Sequence, residues 1–132
     1  MISSNAFGYV NVLSAAADAA WTRNEILTNN LANVDTPGYK RQDIRFESIL
    51  RNEIDRHKSE ASSTLTQRVN DVDYTKLKPF VYTDNATLST RLDGNNVDIE
   101  TEQAELASNQ LMYDGIIAGL NGEFARMKTV LS

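Results

Sequence analysis

Two stretches of this 132-residue chain, one at each end, repeat apolar residues at alternating spacings of three and four. The first runs Val10, Leu13, Ala17, Ala20, Asn24, Leu27, Leu31 and Val34, and seven of these eight positions are apolar. The second runs Ile99, Gln103, Leu106, Gln110, Tyr113, Ile117, Leu120, Phe124, Met127 and Leu131, with eight of ten apolar or aromatic. Such spacing holds one stripe of side chains on one side of a helix, turned toward a partner helix. At 1.5 Å per residue the two helices span roughly 37 and 50 Å, too long for the interior of a small globule. The fold class that follows is mainly α. Two long terminal helices pair as a coiled coil, with a short helix and an extended or small β excursion between them. Residues 1–36 form the N-terminal helix, 37–96 the turn and middle, and 97–132 the C-terminal helix, both helices belonging to one domain.

The helix ends carry matching chemistry. Asp98 is the N-cap of the second helix, with Glu100, Glu102 and Glu105 in its opening turns and Arg126 and Lys128 near its end. That order complements the helix dipole at both ends. The first helix stops soon after Asn33, because Thr36 precedes Pro37 and is pushed out of the α region. Pro37-Gly38 suits the centre of a type II turn, Gly38 supplying the positive φ. In the middle, Phe46, Ile49, Leu50 and Ile54 predict a short amphipathic helix starting near Asp43. Residues 58–71 are polar and predict a loop. Phe80–Thr83 and Thr87–Thr90 predict short strands or extended chain, and Asp93-Gly94-Asn95-Asn96 a turn.

Catalysis has little to work with. There is no cysteine and one histidine, His57, which excludes disulfides, thiolate chemistry and most Ser-His-Asp arrangements. The glutamates after Asp98 read as a solvated, dipole-favoured helix start. Asp71-x-Asp73 and Asp93-x-Asn95 lack the later glycine and bidentate glutamate of a calcium loop. No catalytic residue, metal or cofactor is therefore expected. A net charge of −5 argues against nucleic acid as a partner. The uncharged N-terminus has no basic residue before Arg23 and is interrupted by Asn5, Gly8, Asn11 and Ser14, so it does not read as a cleaved signal. No stretch approaches the ~20 apolar residues of a membrane span.

The surface instead points to assembly. Phe7, Trp21, Ile26, Ile116 and Val130 flank the stripes and would stay wet in an isolated helix pair. Gly115-x-x-x-Gly119, with Gly122, reads as a place where another backbone comes close. Residues 93–125 hold seven acids and no base, whereas 40–58 hold six bases and four acids. That asymmetry suits head-to-tail contact between identical subunits. The assembly stripe consists of Leu13, Leu27, Leu31, Val34, Leu106, Tyr113, Ile117, Leu120, Phe124, Met127 and Leu131.

The segment Thr28-Asn29-Asn30-Leu31-Ala32-Asn33-Val34-Asp35-Thr36-Pro37-Gly38-Tyr39-Lys40 closely resembles the N-terminal signature of the bacterial flagellar rod, hook and hook-associated axial proteins, which runs N-x-A-N-x-x-T-P-G-Y. The chain is too short for the large inserted domains of hook and distal-rod members. Leu92–Asp98 followed by an acidic helix, and Arg41–Phe46, are similar to the small proximal-rod members of the flagellar basal-body rod protein family. The resemblance implies a tube-forming axial architecture and a structural, non-enzymatic subunit of the proximal rod, which joins the motor base to the rest of the rod and transmits torque. It implies residence in the flagellar basal body after type III export without a cleaved signal. Its implied partners are itself, other flagellar rod proteins and the MS-ring/export-gate junction proteins. Asn30, Ala32, Asn33, Thr36, Pro37, Gly38 and Tyr39 would form the signature turn that leaves the tube. The alternatives are another small proximal-rod paralogue, or a non-axial coiled-coil adaptor or export chaperone, which would leave the signature unexplained.

Overall fold

A computed structural model describes residues 4–56, 64–85 and 91–132. Helix α1 spans Ser4–Ala32 and helix α4 Ile99–Leu131. Between them come strand β1 (Gln42–Arg45), helix α2 (Glu47–Arg56), helix α3 (Leu65–Asn70), a 3-10 turn (Tyr74–Lys76) and strand β2 (Phe80–Thr83). The protein is mainly helical, as the terminal stripes predict. His57 and the predicted strand at Thr87–Thr90 lie outside the described residues.

The long helices run antiparallel. Asn30 meets Glu102, Asn109 meets Ala20, and Gly119 lies against Leu13. Val10, Ala17 and Leu120 form the buried centre of this contact, flanked by Leu13, Tyr113, Ile116, Ile117 and Met127. Trp21 leans on Tyr113 with ring centroids 6.0 Å apart. Helix α1 has a second buried face. Val12 and Ala19 join Ile44, Phe46, Val72 and Leu77 of the middle, with Ile26, Ile49, Leu50, Ile54 and Val69 around them. So the middle of the chain packs on α1 from one side while α4 packs from the other. The run Ala15, Ala16, Ala17, Ala19, Ala20 makes this possible: small side chains let two neighbours approach one helix at once. Ala19 and Ala20 are 2% and 1% exposed. Ile26 and Ile116, expected to stay wet, are half-buried within these two contacts, whereas Phe7, Trp21 and Val130 remain exposed.

Four further expectations need correction. The short helix begins at Glu47, not near Asp43, because residues 42–45 pair antiparallel with 80–83, Gln42 opposite Thr83 and Arg45 opposite Phe80. Residues 65–70 are helical rather than loop. Thr64 accepts from the Gln67 amide while the Gln67 side chain accepts from the Thr64 amide, a reciprocal cap that holds even a short polar helix. The buried stripe of α4 slips by one residue toward its start: Glu102 and Asn109 are buried, and Gln103, Gln110 and Ile99 are exposed. The α4 glycines do not mark a close backbone approach within the chain. A Cβ on Gly115 would meet nothing within 4 Å, and one on Gly119 only the Leu13 side chain at 3.6 Å.

The close approach lies elsewhere, at Gly8, where a Cβ would stand 3.0 Å from both the Cα and the carbonyl oxygen of Asn70. Gly8→Val should therefore lower stability by about 1–3 kcal/mol through overpacking against backbone. Gly115→Ala should raise it by up to ~1 kcal/mol through helix propensity alone. Thermal unfolding of the purified variants reads both, and equal effects at the two sites would refute the assignment.

Candidate functional site

The last turn of helix α1 closes locally, the amides of Asn33 and Val34 donating to the carbonyls of Asn29, Asn30 and Leu31. The carbonyls just beyond it find partners in the loop before α4. The Asn95 side-chain amide, 1% exposed, donates to the carbonyls of Asn33 (2.9 Å), Val34 (3.1 Å) and Thr36 (2.8 Å), two N–H bonds shared among three oxygens. Its Oδ1 accepts from the Val97 amide at 2.8 Å. Arg91 adds a cationic donor to the Val34 carbonyl, where the helix dipole is negative.

The turn after α1 is closed by the Tyr39 amide donating to the Thr36 carbonyl at 3.2 Å, with Pro37 and Gly38 at its centre. Gly38 has φ 74° and Gly94 φ 78°, and both belong to turns in which a side chain would be strained. The Gly38 amide donates to the Asp93 carbonyl at 2.7 Å, joining the two turns. Asn96 extends the seam: its Oδ1 accepts from the Arg41 amide, and its Nδ2 donates to the Asp84 carbonyl, each at 2.7 Å.

Asn30, fully buried on α1, completes it. Its Oδ1 accepts from the Gln42 amide (2.9 Å) and from the Tyr39 hydroxyl (3.0 Å). Its Nδ2 donates to the Gln42 carbonyl (2.8 Å) and to Glu102 Oε2 (3.1 Å). A side-chain amide matches a peptide group, so Asn30 pairs with both backbone groups of Gln42 as a neighbouring strand would. Every donor and acceptor it owns is used.

Beneath the seam lies a buried charge cluster. Arg41, 8% exposed, holds Glu102 through its Nε, Asp84 at 2.9 Å, Asp43 at 3.3 Å and Glu105 at 3.6 Å. Burial would lower the Arg41 pKa, but the hydrogen bonds to Glu102 and Asp84 outweigh it and hold the guanidinium charged well above its ordinary value. Beside it, Arg23 grips Glu47 with two hydrogen bonds of 2.6 and 2.7 Å, which raises the arginine and holds the Glu47 carboxyl below its ordinary value.

The structure thus brings Asn30, Asn33, Thr36, Gly38 and Tyr39 of the signature into one latch; Ala32 and Pro37 are exposed beside it. Of the stripe, Leu27 and Leu120 are buried, and Leu13, Leu31, Val34, Leu106, Tyr113, Ile117 and Met127 half-buried. Phe124 and Leu131 are exposed, at 53% and 72%. Asn95, Asn96, Arg41 and Glu102 carry the latch from outside the predicted site. In the sequence Asn95 and Asn96 read as a solvated turn, Glu102 as part of a solvated helix start, and Arg41 only as the first residue of a segment similar to proximal-rod members. This arrangement fixes backbone; it offers no nucleophile and general base in contact. Among the described residues no cluster of His, Cys, Asp and Glu fits a metal ion, and no helix is long and apolar enough to cross a membrane.

Asn95→Asp keeps the size of the side chain but turns a donor facing three carbonyls into an acceptor. It should destabilise the chain by about 2–4 kcal/mol, as much as Asn95→Ala. Glu102→Ala should cost about 3–5 kcal/mol by leaving Arg41 buried without its main partner. Urea unfolding midpoints measure both, and a wild-type midpoint for Asn95→Asp would disprove the latch.

The N-terminal half of the latch, Asn30–Tyr39, lies within the part of the chain that a known family matches. A family described as "Flagella basal body rod protein" matches residues 11–40. The flagellar basal body rod protein FlgB of Bacillus subtilis strain 168 is 35% identical over 125 residues, covering 95% of this chain and 94% of that protein. FlgB of Escherichia coli K12 is 33% identical, covering 83% and 82%. FlgB of Borreliella burgdorferi is 34% identical, covering 80% and 76%. Likeness of this degree over nearly whole chains includes both halves of the latch, and the chain belongs to the FlgB family of flagellar basal body rod proteins.

Proposed function

We propose that this chain is a non-catalytic structural subunit of the proximal rod in the flagellar basal body. Its α1–α4 pair lies in the wall of the axial tube and transmits torque from the motor base. Its partners are further copies of itself, other rod proteins and the proteins at the MS-ring and export-gate junction. The apolar surface left over after the chain has folded carries this reading. Phe7 (54%), Trp21 (56%), Leu111 (75%), Phe124 (53%), Val130 (67%) and Leu131 (72%) stay exposed on the two long helices. Surface of that kind on a helix pair already latched to itself is surface for neighbours. A stiff latch between the helix ends also suits a part that carries torsional load.

Two substitutions separate assembly from folding. Leu111→Asp and Phe124→Asp change exposed positions, so the purified chains should unfold within about 0.5 kcal/mol of wild type. In cells both should prevent rod assembly and motility, because a carboxylate buried at a subunit contact without a partner costs several kcal/mol. Tagged chain should co-purify with isolated basal bodies. Full motility with both variants, or a tagged chain found only as a discrete cytosolic dimer, would favour the adaptor or chaperone alternative.

A further inference from the structure

Strand β2, Phe80-Val81-Tyr82-Thr83, pairs with β1 along one edge only. The end of the ladder fixes which peptide groups that pairing uses. The Asp84 amide donates to the Arg41 carbonyl at 2.9 Å, so residues 41 and 84 turn these groups toward each other. In an antiparallel pair such groups alternate along each strand. Tyr82 and Phe80 therefore turn theirs toward Asp43 and Arg45, while Val81 and Thr83 turn their N–H and C=O groups outward. β1 shows the same alternation from its own side, with Gln42 and Ile44 pointing away from β2.

The two outer edges are treated differently. On β1, Asn30 takes both backbone groups of Gln42, and Asp43 Oδ1 accepts from the Ile44 amide at 2.8 Å. On β2, no described residue hydrogen-bonds the outward groups of Val81 and Thr83. Bare edges are commonly guarded by charge or proline. Phe80–Thr83 has neither, and Lys78 and Pro79 guard only its approach. The strand instead exposes Phe80 at 56% and Val81 at 45%, on opposite faces. A sheet of two strands is marginal alone, and a third strand is what this one lacks.

We propose that the β2 edge receives an extended segment of a neighbouring polypeptide in the rod, which joins the sheet as its third strand. The chemistry of the edge selects this occupant. Its N–H and C=O groups are matched in spacing by another extended backbone, whereas a helix has already spent its own. Phe80 and Val81 suit β-branched or aromatic side chains beside them on either face. The inference rests on the reading of the chain as a rod subunit. That reading also separates the occupant from β2 of a second copy. Pairing of β2 with itself is a two-fold contact that closes as a dimer, whereas a tube needs contacts that continue.

Proline tests the edge on the purified chain, because a strand tolerates it where the N–H is unpaired. Thr83→Pro should lower the thermal midpoint much less than Tyr82→Pro, which strips an N–H from the ladder to Asp43. An equal or larger drop for Thr83→Pro would mean that the Thr83 amide is already engaged within the chain, and would overturn the proposal.

The occupant is identified in the native bacterium. The photo-cross-linker p-benzoylphenylalanine replaces Val81 or Thr83, both exposed, and the adducts are sequenced from isolated basal bodies. Both probes should mark one segment of a neighbouring polypeptide at points about two residues apart, the period of side chains on one face of a strand. The yield from the Val81 probe should fall several-fold when Thr83→Pro is added, but not with Thr83→Val, which keeps the N–H. Adducts on β2 of another copy, points spaced by a helical turn, a yield indifferent to Thr83→Pro, or no adduct from a chain that does reside in basal bodies would each overturn the proposal alone. Absence of the chain from basal bodies would overturn the rod reading, and the proposal with it.

Discussion

The buried contact between Arg41 and Glu102 ties together the three parts of this molecule. Arg41 immediately precedes β1, Glu102 sits in the first turns of α4, and Asn30 of α1 donates to the same carboxylate. Two charges withdrawn from water are stable only when each finds several partners. Arg41 has four carboxylates in reach, and Glu102 takes both the guanidinium and the Asn30 amide. An apolar cluster would tolerate small slides of one helix along another. This arrangement does not, because a shift of one residue would strand a charge. The register of α1 against α4, and the placement of the small sheet, follow from it.

Alanines on α1 settle the rest of the architecture. A helix with bulky residues all round could hold one neighbour closely; Ala17 and Ala20 on one side and Ala16 and Ala19 on the other let this one hold two. The contacts are shallow, so each buries little apolar area, and the polar latch supplies specificity that the small core lacks. The large apolar residues are left for the outside.

Much of this was legible in the sequence, and what was not has identifiable causes. The stripe on α1 is visible at Val10, Ala17, Ala20 and Leu27 because nothing polar competes with it. The α4 stripe misled near its start, where hydropathy cannot distinguish Gln103 from Glu102 or Gln110 from Asn109. The buried member of each pair is chosen by what stands across from it, Arg41 in one case and the Ala20 carbonyl in the other. The Thr64-x-x-Gln67 cap of α3 was readable but stood among polar residues with no apolar period to draw attention. The strand at Gln42–Arg45 could not be read locally, since its pairing comes from the distant residues 80–83 on one side and, at Gln42, from the Asn30 side chain on the other. Of the latch, the half around Asn30–Tyr39 stood out as a motif, whereas Asn95 and Asn96 looked like an ordinary surface turn.

The bonds from Asn95 to Asn33, Val34 and Thr36 span 62, 61 and 59 residues of chain. A polypeptide that emerges N-terminus first presents the end of α1 long before the groups that cap it exist outside the tunnel. Until the Asp93–Asn96 turn appears, the carbonyls of Asn33, Val34 and Thr36 lack the Asn95 amide that joins them, and the Gly38 turn has no counterpart. Closure is therefore timed by length: the last third of the chain must be free before the first third can be fixed. A fragment that runs past Tyr39 but stops short of residue 95 carries the signature in full and lacks the Asn95 amide that holds its shape.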